Sequence, residues 1–293
     1  MRNNPSRSRK TDFGRWLKTC WVEKVIAYQD THCHLNLYQF DNDLEEVIHR
    51  AIQQGVDRIL VPGIDLETSL RSVEICEKFE IVYAAVGVHP NNASSWDNTS
   101  IQRLRNLCTH PKVVAIGEIG LDYYRNYAEP EIQKKILVTQ MELAMEFSKP
   151  VVIHNRNAFK DLMSILSNWV INLRLSGNPL SERPGVLHAF DGDLEIVNQA
   201  IELGFYLGVA GPVTFTNAED RQNITKSIPL RAMIAETDAP YLAPHPFRGK
   251  RNEPAWVSLV VQKISMLKAQ SLEEITTTLT HNGNHLFGWR SSD

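Results

Sequence analysis

Cysteine is scarce in this 293-residue chain, and its four copies, Cys20, Cys33, Cys76 and Cys108, form no Cys-x-x-Cys pair. Set in apolar or strand-like surroundings, they read as reduced thiols without a redox role, as in a reducing compartment such as the cytoplasm. Long hydrophobic runs are also missing. The longest, such as residues 81–88 and 113–116, have strand length and fall far short of the ~20 residues that cross a bilayer, so a membrane protein is excluded. Nor is there an excess of positive charge. Thirty-one Lys and Arg face 34 Asp and Glu, a net charge of −3, so no overall basic field holds a polyanion and any nucleic-acid contact has to be local. Residues 1–24 carry Arg2, Arg7, Arg9, Lys10, Arg15 and Lys18 but no apolar segment of signal-peptide type, which excludes a secretory signal and leaves a flexible N-terminal extension as the expectation.

What is present is alternation. Residues 25–290 contain no Gly-rich linker or shift of composition and read as one domain in which short apolar runs alternate with helix-period segments. Strand-like runs end near His34, Val61, Val88, Gly117, His154, His188, Val209 and Thr237. Helical periodicity lies between them, starting with Leu44, Val47, Ile48, Ala51 and Ile52, with Asp43 as N-cap and Gly55 as the stop. A second segment runs from Leu70 to Phe79, others cover residues 131–147, 158–170, 194–203 and 257–267, and Ser271 with Glu274 forms a capping box that opens a last helix. Eight such units predict an α/β fold, a single (β/α)8 TIM barrel with its site at the C-terminal ends of the strands. Residues 168–184, with Ser, Gly and two Pro, read as a surface insertion.

The strand ends carry the chemistry. His32 and His34 close the first strand, and period-two alternation turns both rings to one side, as in a metal-ligand pair or, alternatively, a His-x-His bonded within the core. Glu118, His154, His188 and Asp238 follow the apolar runs of four other strands, so four imidazoles and two carboxylates would converge at one barrel mouth. Without a cation, that cluster is a set of desolvated acids and bases with no common partner. Six ligands exceed what one tetrahedral ion uses, whereas two divalent ions bridged by a carboxylate suit the count, with Glu118 as the natural bridge. A His-rich donor set admits Zn²⁺ or Mn²⁺ and the carboxylates admit Mg²⁺, so the ion's identity stays open.

Seven motifs occur in order: Asp30-Thr31-His32-Cys33-His34-Leu35, Gly87-Val88-His89-Pro90, Gly117-Glu118-Ile119-Gly120-Leu121-Asp122-Tyr123, His154-Asn155-Arg156-Asn157-Ala158, His188-Ala189-Phe190-Asp191-Gly192, Glu236-Thr237-Asp238-Ala239-Pro240-Tyr241-Leu242 and Arg248-Gly249-Lys250-Arg251-Asn252-Glu253-Pro254. Together they resemble the TatD-type metal-dependent deoxyribonucleases, a branch of the amidohydrolase-like barrels, over residues 28–288. The resemblance implies that His32, His34 and Glu118 hold one ion and that Glu118, His154, His188 and Asp238 serve the second. It also implies a divalent-metal-dependent hydrolase that cleaves DNA phosphodiester bonds, trimming single strands from an end. Glu118 and Asp238 are the catalytic candidates, with Asp238, at the last strand, read as the group that orients the attacking water and takes its proton. Ester or amide hydrolysis within the same superfamily, including aminoacyl-tRNA deacylation, is the alternative. Amide-cleaving members often bridge their metals with a carboxylated Lys, and Glu118 in that place favours the nuclease branch. A non-catalytic nucleic-acid-binding barrel ranks last, because all six ligands are present.

Other residues are weaker candidates. His89 and Glu236 read as supporting groups that orient ligands. Arg156, just past His154, is placed to take a phosphate, in competition with an ion pair to Asp161. Arg248, Lys250 and Arg251 form a basic loop beside Asp238, suited to the backbone of a DNA substrate bound locally at the mouth. Tyr123, Tyr124 and Tyr241 read as core or rim aromatics rather than stacking groups. His49, His110, His245, His281 and His285 are assigned no metal, and no obligate protein partner is expected.

Overall fold

The computed structural model describes residues 27–125 and 127–289; the N-terminal extension expected over residues 1–24 lies outside them. Eight parallel strands, β1 (Tyr28–Asp30), β2 (Val56–Pro62), β3 (Val82–Val86), β4 (Val113–Asp122), β5 (Val151–Arg156), β6 (Gly185–Leu187), β7 (Tyr206–Val209) and β8 (Met233–Ala235), pair in sequence order. Beyond β8 the Thr31 N–H donates to the Ala235 carbonyl at 3.2 Å and the His34 N–H to the Ala239 carbonyl at 2.7 Å, so the sheet returns to its first strand. The helices α1 (Leu44–Gln53), α2 (Leu66–Lys78), α3 (Ser100–Cys108), α4 (Pro130–Phe147), α5 (Phe159–Leu175), α6 (Leu194–Leu203), α7 (Glu219–Ser227), α8 (Val257–Lys268) and α9 (Leu272–Phe287) complete the TIM barrel that the alternation predicts.

Period-two alternation divides the core in two. Ile59 and Val61 of β2, Val82, Ala84 and Val86 of β3 and Val151 and Ile153 of β5 pack outward against the helices. Leu60, Tyr83, Ala85, Val114, Val152, Val186 and Tyr206, from the same strands and their neighbours, pack inward. Leu286, Phe287 and Trp289 at the end of α9 join this inner cluster and seal the N-terminal end of the barrel, where the Trp289 ring meets Tyr83 edge-on at 4.9 Å. α9 approaches β1 closely because residue 283 is glycine: a Cβ there would fall 2.1 Å from Gln29 Oε1.

Several local expectations are corrected. α5 runs through Leu175, so the first part of the insertion read over residues 168–184 is helix. Trp169, Val170 and Leu173 extend the apolar stripe of Leu162 and Leu166, and Leu180 is buried in the short 3-10 turn that follows. α2 begins at Leu66 rather than Leu70, because Asp65 and Thr68 form a reciprocal capping box. Asp43 precedes α1 without capping it; its carboxylate is taken by Arg50 and Arg251. β4 continues past Gly117 to Asp122, which puts Glu118 within a strand.

Candidate metal centre

The mouth of the barrel gathers side chains from five strands or strand ends. His32 and His34 follow β1, where their Nε2 atoms stand 3.0 Å apart, about the separation of two ligands on one ion with bonds near 2.1 Å. Glu118 is buried in β4 and faces both sides. Its Oε2 lies 3.4 Å from both His32 Nε2 and His34 Nε2, while its Oε1 lies 2.9 Å from His154 Nδ1 and 2.8 Å from His188 Nε2. Asp238 Oδ1 stands 3.7 Å from His32 Nε2 and 3.5 Å from His34 Nε2. The structure therefore groups Asp238 with the β1 histidines, whereas the resemblance associates it with His154 and His188. The stacked His32 and His188 rings, 3.9 Å between centroids, join the two halves.

The donor set fits divalent cations. His32, His34 and Asp238 form one group whose ligand atoms all lie within 4.8 Å of one another, and His32, Glu118 and His188 form another. Burial disfavours the Glu118 carboxylate, yet the rings of His188 and His89 and the hydrogen bonds of His154 and His188 hold it well below the usual range. Asp238 is likewise held down, against burial, by His34, His32 and His188. Burial also opposes charge on His34, but the bonds to Asp238 and Glu118 push it up to about 9, and Glu118 and Glu236 raise His188 in the same way. Positive charge on His34 and His188 thus balances the two carboxylates where a divalent cation could do so.

Supporting groups fix the ligands. Asp122 is 1% exposed; its Oδ1 accepts the backbone N–H groups of Tyr124 and Arg125 at 2.9 Å each, and its Oδ2 lies 3.4 Å from His154 Nε2, turning Nδ1 of that ring toward Glu118. Period two from Glu118 reaches Gly120 and Asp122, so the sequence carries a signal for Asp122 that its place within a motif alone does not assign. Gly120, at φ +149°, lets β4 lie against β5: a Cβ there would meet the His154 carbonyl at 2.0 Å. Glu236, fully buried, accepts the Ala189 N–H and stands 3.6 Å from His188 Nδ1, beneath that ring rather than beside Asp238. His89 Nδ1 accepts the Asn91 N–H at 3.0 Å, so the neutral ring carries its proton on Nε2, 3.5 Å from Glu118 Oε1. Burial and the neighbouring His154 lower it to about 3, so His89 is neutral at neutral pH, and with Glu118 and His154 it forms a third group of donors close enough to hold an ion. Asp30, which no sequence signal singled out, lies fully buried below the site, where it accepts the Thr237 N–H and hydroxyl; burial pushes it up to about 8.

The basic candidates separate. Arg156 lies over the Tyr124 ring, 3.8 Å from its centroid, while its expected partner Asp161 is taken by Lys134 and the Tyr123 hydroxyl, each at 2.9 Å. Arg248 covers Phe215 and Lys250 stands over Phe247. Arg251 forms a bidentate pair with Asp43 at 2.8 and 2.6 Å and also donates to the Gln39 carbonyl, so its guanidinium is held within the fold. Of the unassigned histidines, His110 pairs with Glu77 and His285 with Tyr206, and no metal-competent group among the described residues includes His49, His110, His245, His281 or His285. No described helix is long and apolar enough to cross a membrane.

A parallel barrel with imidazoles and carboxylates clustered at the C-terminal ends of its strands defines a metal-dependent hydrolase. The TatD related DNase family matches residues 29–288, and the chain belongs to that family. It is 42% identical over 258 residues to the uncharacterized metal-dependent hydrolase YabD of Bacillus subtilis (strain 168), covering 88% of this chain and 98% of that one. It is 32% identical over 265 residues to the 3'-5' ssDNA/RNA exonuclease TatD of Shigella flexneri serotype 5b, with 88% and 98% covered. The crystal structure of the TatD homologue YJJV from Escherichia coli K12 superposes with a TM-score of 0.83 at 30% identity, over 91% of this chain and all of that one.

Proposed function

We propose that this hydrolase cleaves phosphodiester bonds at the end of a single DNA strand, with two divalent cations held by His32, His34, Glu118, His154, His188 and Asp238. The observation that carries the reading is Glu118, whose two oxygens face two separate pairs of imidazole nitrogens from opposite sides of the barrel. Two cations held there would supply Lewis acidity toward a phosphate oxygen and ease the ionisation of water. Asp238 stays ionised at neutral pH and is the most solvent-open carboxylate of the set, its side chain 13% exposed, so it accepts the proton of the attacking water. His89 offers an Nε2–H toward the reacting centre, and Glu236 and Asp122 keep the His188 and His154 rings oriented. Arg156, Arg248 and Lys250, each laid over an aromatic ring and without a carboxylate partner among the described residues, contact the phosphate backbone in this reading; Arg251, bound to Asp43, acts through the loop it anchors. The relatives named as single-strand exonucleases support the substrate class. Three buried free thiols among the described residues suit a cytoplasmic enzyme.

The test compares chelator-stripped protein with protein reloaded with Mn²⁺ or Mg²⁺ on single-stranded DNA, duplex DNA, aminoacyl-tRNA and a simple ester. Release of mononucleotides from single strands, only after reloading, is the expected result. Cleavage of the ester or the aminoacyl-tRNA with DNA left intact would overturn it.

A further inference from the structure

Tyr124 is an unusual residue to find at the rim of a catalytic mouth. Its side chain is 58% exposed, yet its position is tightly set. Asp122 Oδ1 holds the backbone N–H groups of Tyr124 and Arg125, and the same carboxylate reaches His154, so the loop carrying Tyr124 is tied to a metal-ligand ring through a single side chain. Arg156, paired in register with Asp122 and two residues past His154, lays its guanidinium 3.8 Å from the Tyr124 ring centroid. No carboxylate among the described residues partners Arg156. Arg125 stands 6.0 Å from the same ring, beyond stacking contact. A planar cation with no carboxylate partner thus covers one face of a ring that is otherwise exposed, on a segment tied through Asp122 to His154.

Such a pair matches one kind of ligand. Phosphate needs the guanidinium's forked donors, and a nucleobase needs a π-face, which every base offers regardless of sequence. A base inside a duplex is already stacked on both faces and a terminal one is still held to its partner strand, so an unpaired nucleotide is the one free to lay its base on the ring. We propose that the Tyr124–Arg156 stack is the platform for the unpaired nucleotide beside the scissile phosphate, with its base on the aromatic surface and its phosphate on Arg156. This platform sets the preference for single-stranded ends. The inference rests on the phosphodiesterase reading above.

A cycle of protein and substrate changes tests it, using the metal-loaded full chain and a single-stranded oligonucleotide that is either intact or abasic at the nucleotide next to the scissile phosphate. Tyr124→Leu should raise KM on the intact strand roughly tenfold, the scale of one base–aromatic stack. Tyr124→Phe should restore it, the abasic strand should raise the wild-type KM by a similar factor, and the two changes together should cost no more than either alone. A merely structural role for Tyr124 would not produce that non-additivity. An unchanged KM for Tyr124→Leu on a strand that the wild type hydrolyses, or two effects that multiply, overturns the platform alone. A loaded wild type that hydrolyses no oligonucleotide overturns the phosphodiesterase reading, and the platform with it.

Discussion

The two ends of the barrel are built on opposite terms. At the N-terminal end, apolar packing dominates and few buried polar atoms, among them Gln29 Oε1 and Asp57 Oδ1, lack a partner. Leu286, Phe287 and Trp289 fill the space between the strands, the Trp289 indole donates to the Gly283 carbonyl, and the Lys112 ammonium closes the end of α2 on the carbonyls of Cys76, Phe79 and Glu80. At the C-terminal end, His32 Nδ1, His34 Nδ1 and Glu236 Oε2 are buried with no hydrogen-bond partner, and Asn157, Ala189, Asp238 and Leu242, all following strands, adopt positive φ. Unmet polar groups and strained backbone cost stability, and they persist where the rest of the fold over-determines them. The difference teaches that the floor supplies stability, whereas the mouth uses some of it to hold a cluster of donors able to bind metal.

This contrast can be broken from either end. Trp289→Ala opens a cavity in the floor and should cost about 3–5 kcal/mol of stability, read by denaturant unfolding, while the folded fraction keeps its metal content and turnover. A loss of metal at unchanged stability would show that the floor reaches into the site. At the mouth, Asp122→Asn should lower metal affinity or turnover by about 10–100-fold, because the His154 ring loses the carboxylate that orients it. Isothermal titration with Mn²⁺ beside DNA hydrolysis measures both.

A smaller effect sharpens the electrostatic half of the comparison. His34 is raised to about 9 by Asp238 and Glu118 and is protonated at pH 7 in the stripped protein, so cation binding must displace that proton. Affinity should therefore rise with pH above 7 as His34 and the similarly raised His188 lose their protons, with proton release on metal addition at pH 7 detected by titration in two buffers of different ionisation enthalpy. No release at pH 7 would contradict the assignment of His34 as a ligand. The smallest effect belongs to the rim. Arg251→Ala removes a partly exposed pair with Asp43 and should change stability by no more than about 1 kcal/mol in thermal unfolding. A tenfold rise in KM for DNA at unchanged stability would instead place its guanidinium on the substrate.

Much of this was legible in the chain. Apolar alternation carried the eight strands because a parallel barrel buries both faces of each one, and period two placed His32 and His34 on one side. The capping box at Asp65 and Thr68 and the stripe that continues α5 through Leu173 are local signals of the ordinary kind. What sequence could not supply was pairing across distance. Arg251 meets Asp43 from more than two hundred residues away, Tyr124 meets Arg156 across two strands, and Glu236 lies under His188 rather than beside Asp238. Those partners are chosen by the register of strands and the paths of loops, which leave no trace in spacing along the chain.

Counting bound metal in Glu118→Gln tests most directly whether Glu118 joins two cation sites, as proposed. A neutral amide still coordinates through oxygen, but it leaves two dications less compensated at close range in a buried pocket. Purified wild type reloaded with Mn²⁺ should hold two ions per chain by elemental analysis. Glu118→Gln should hold fewer than two, keep its melting temperature, and lose more DNA hydrolysis than His34→Ala does. Two retained ions with near-normal hydrolysis in Glu118→Gln would contradict the bridge and, with it, the two-metal account.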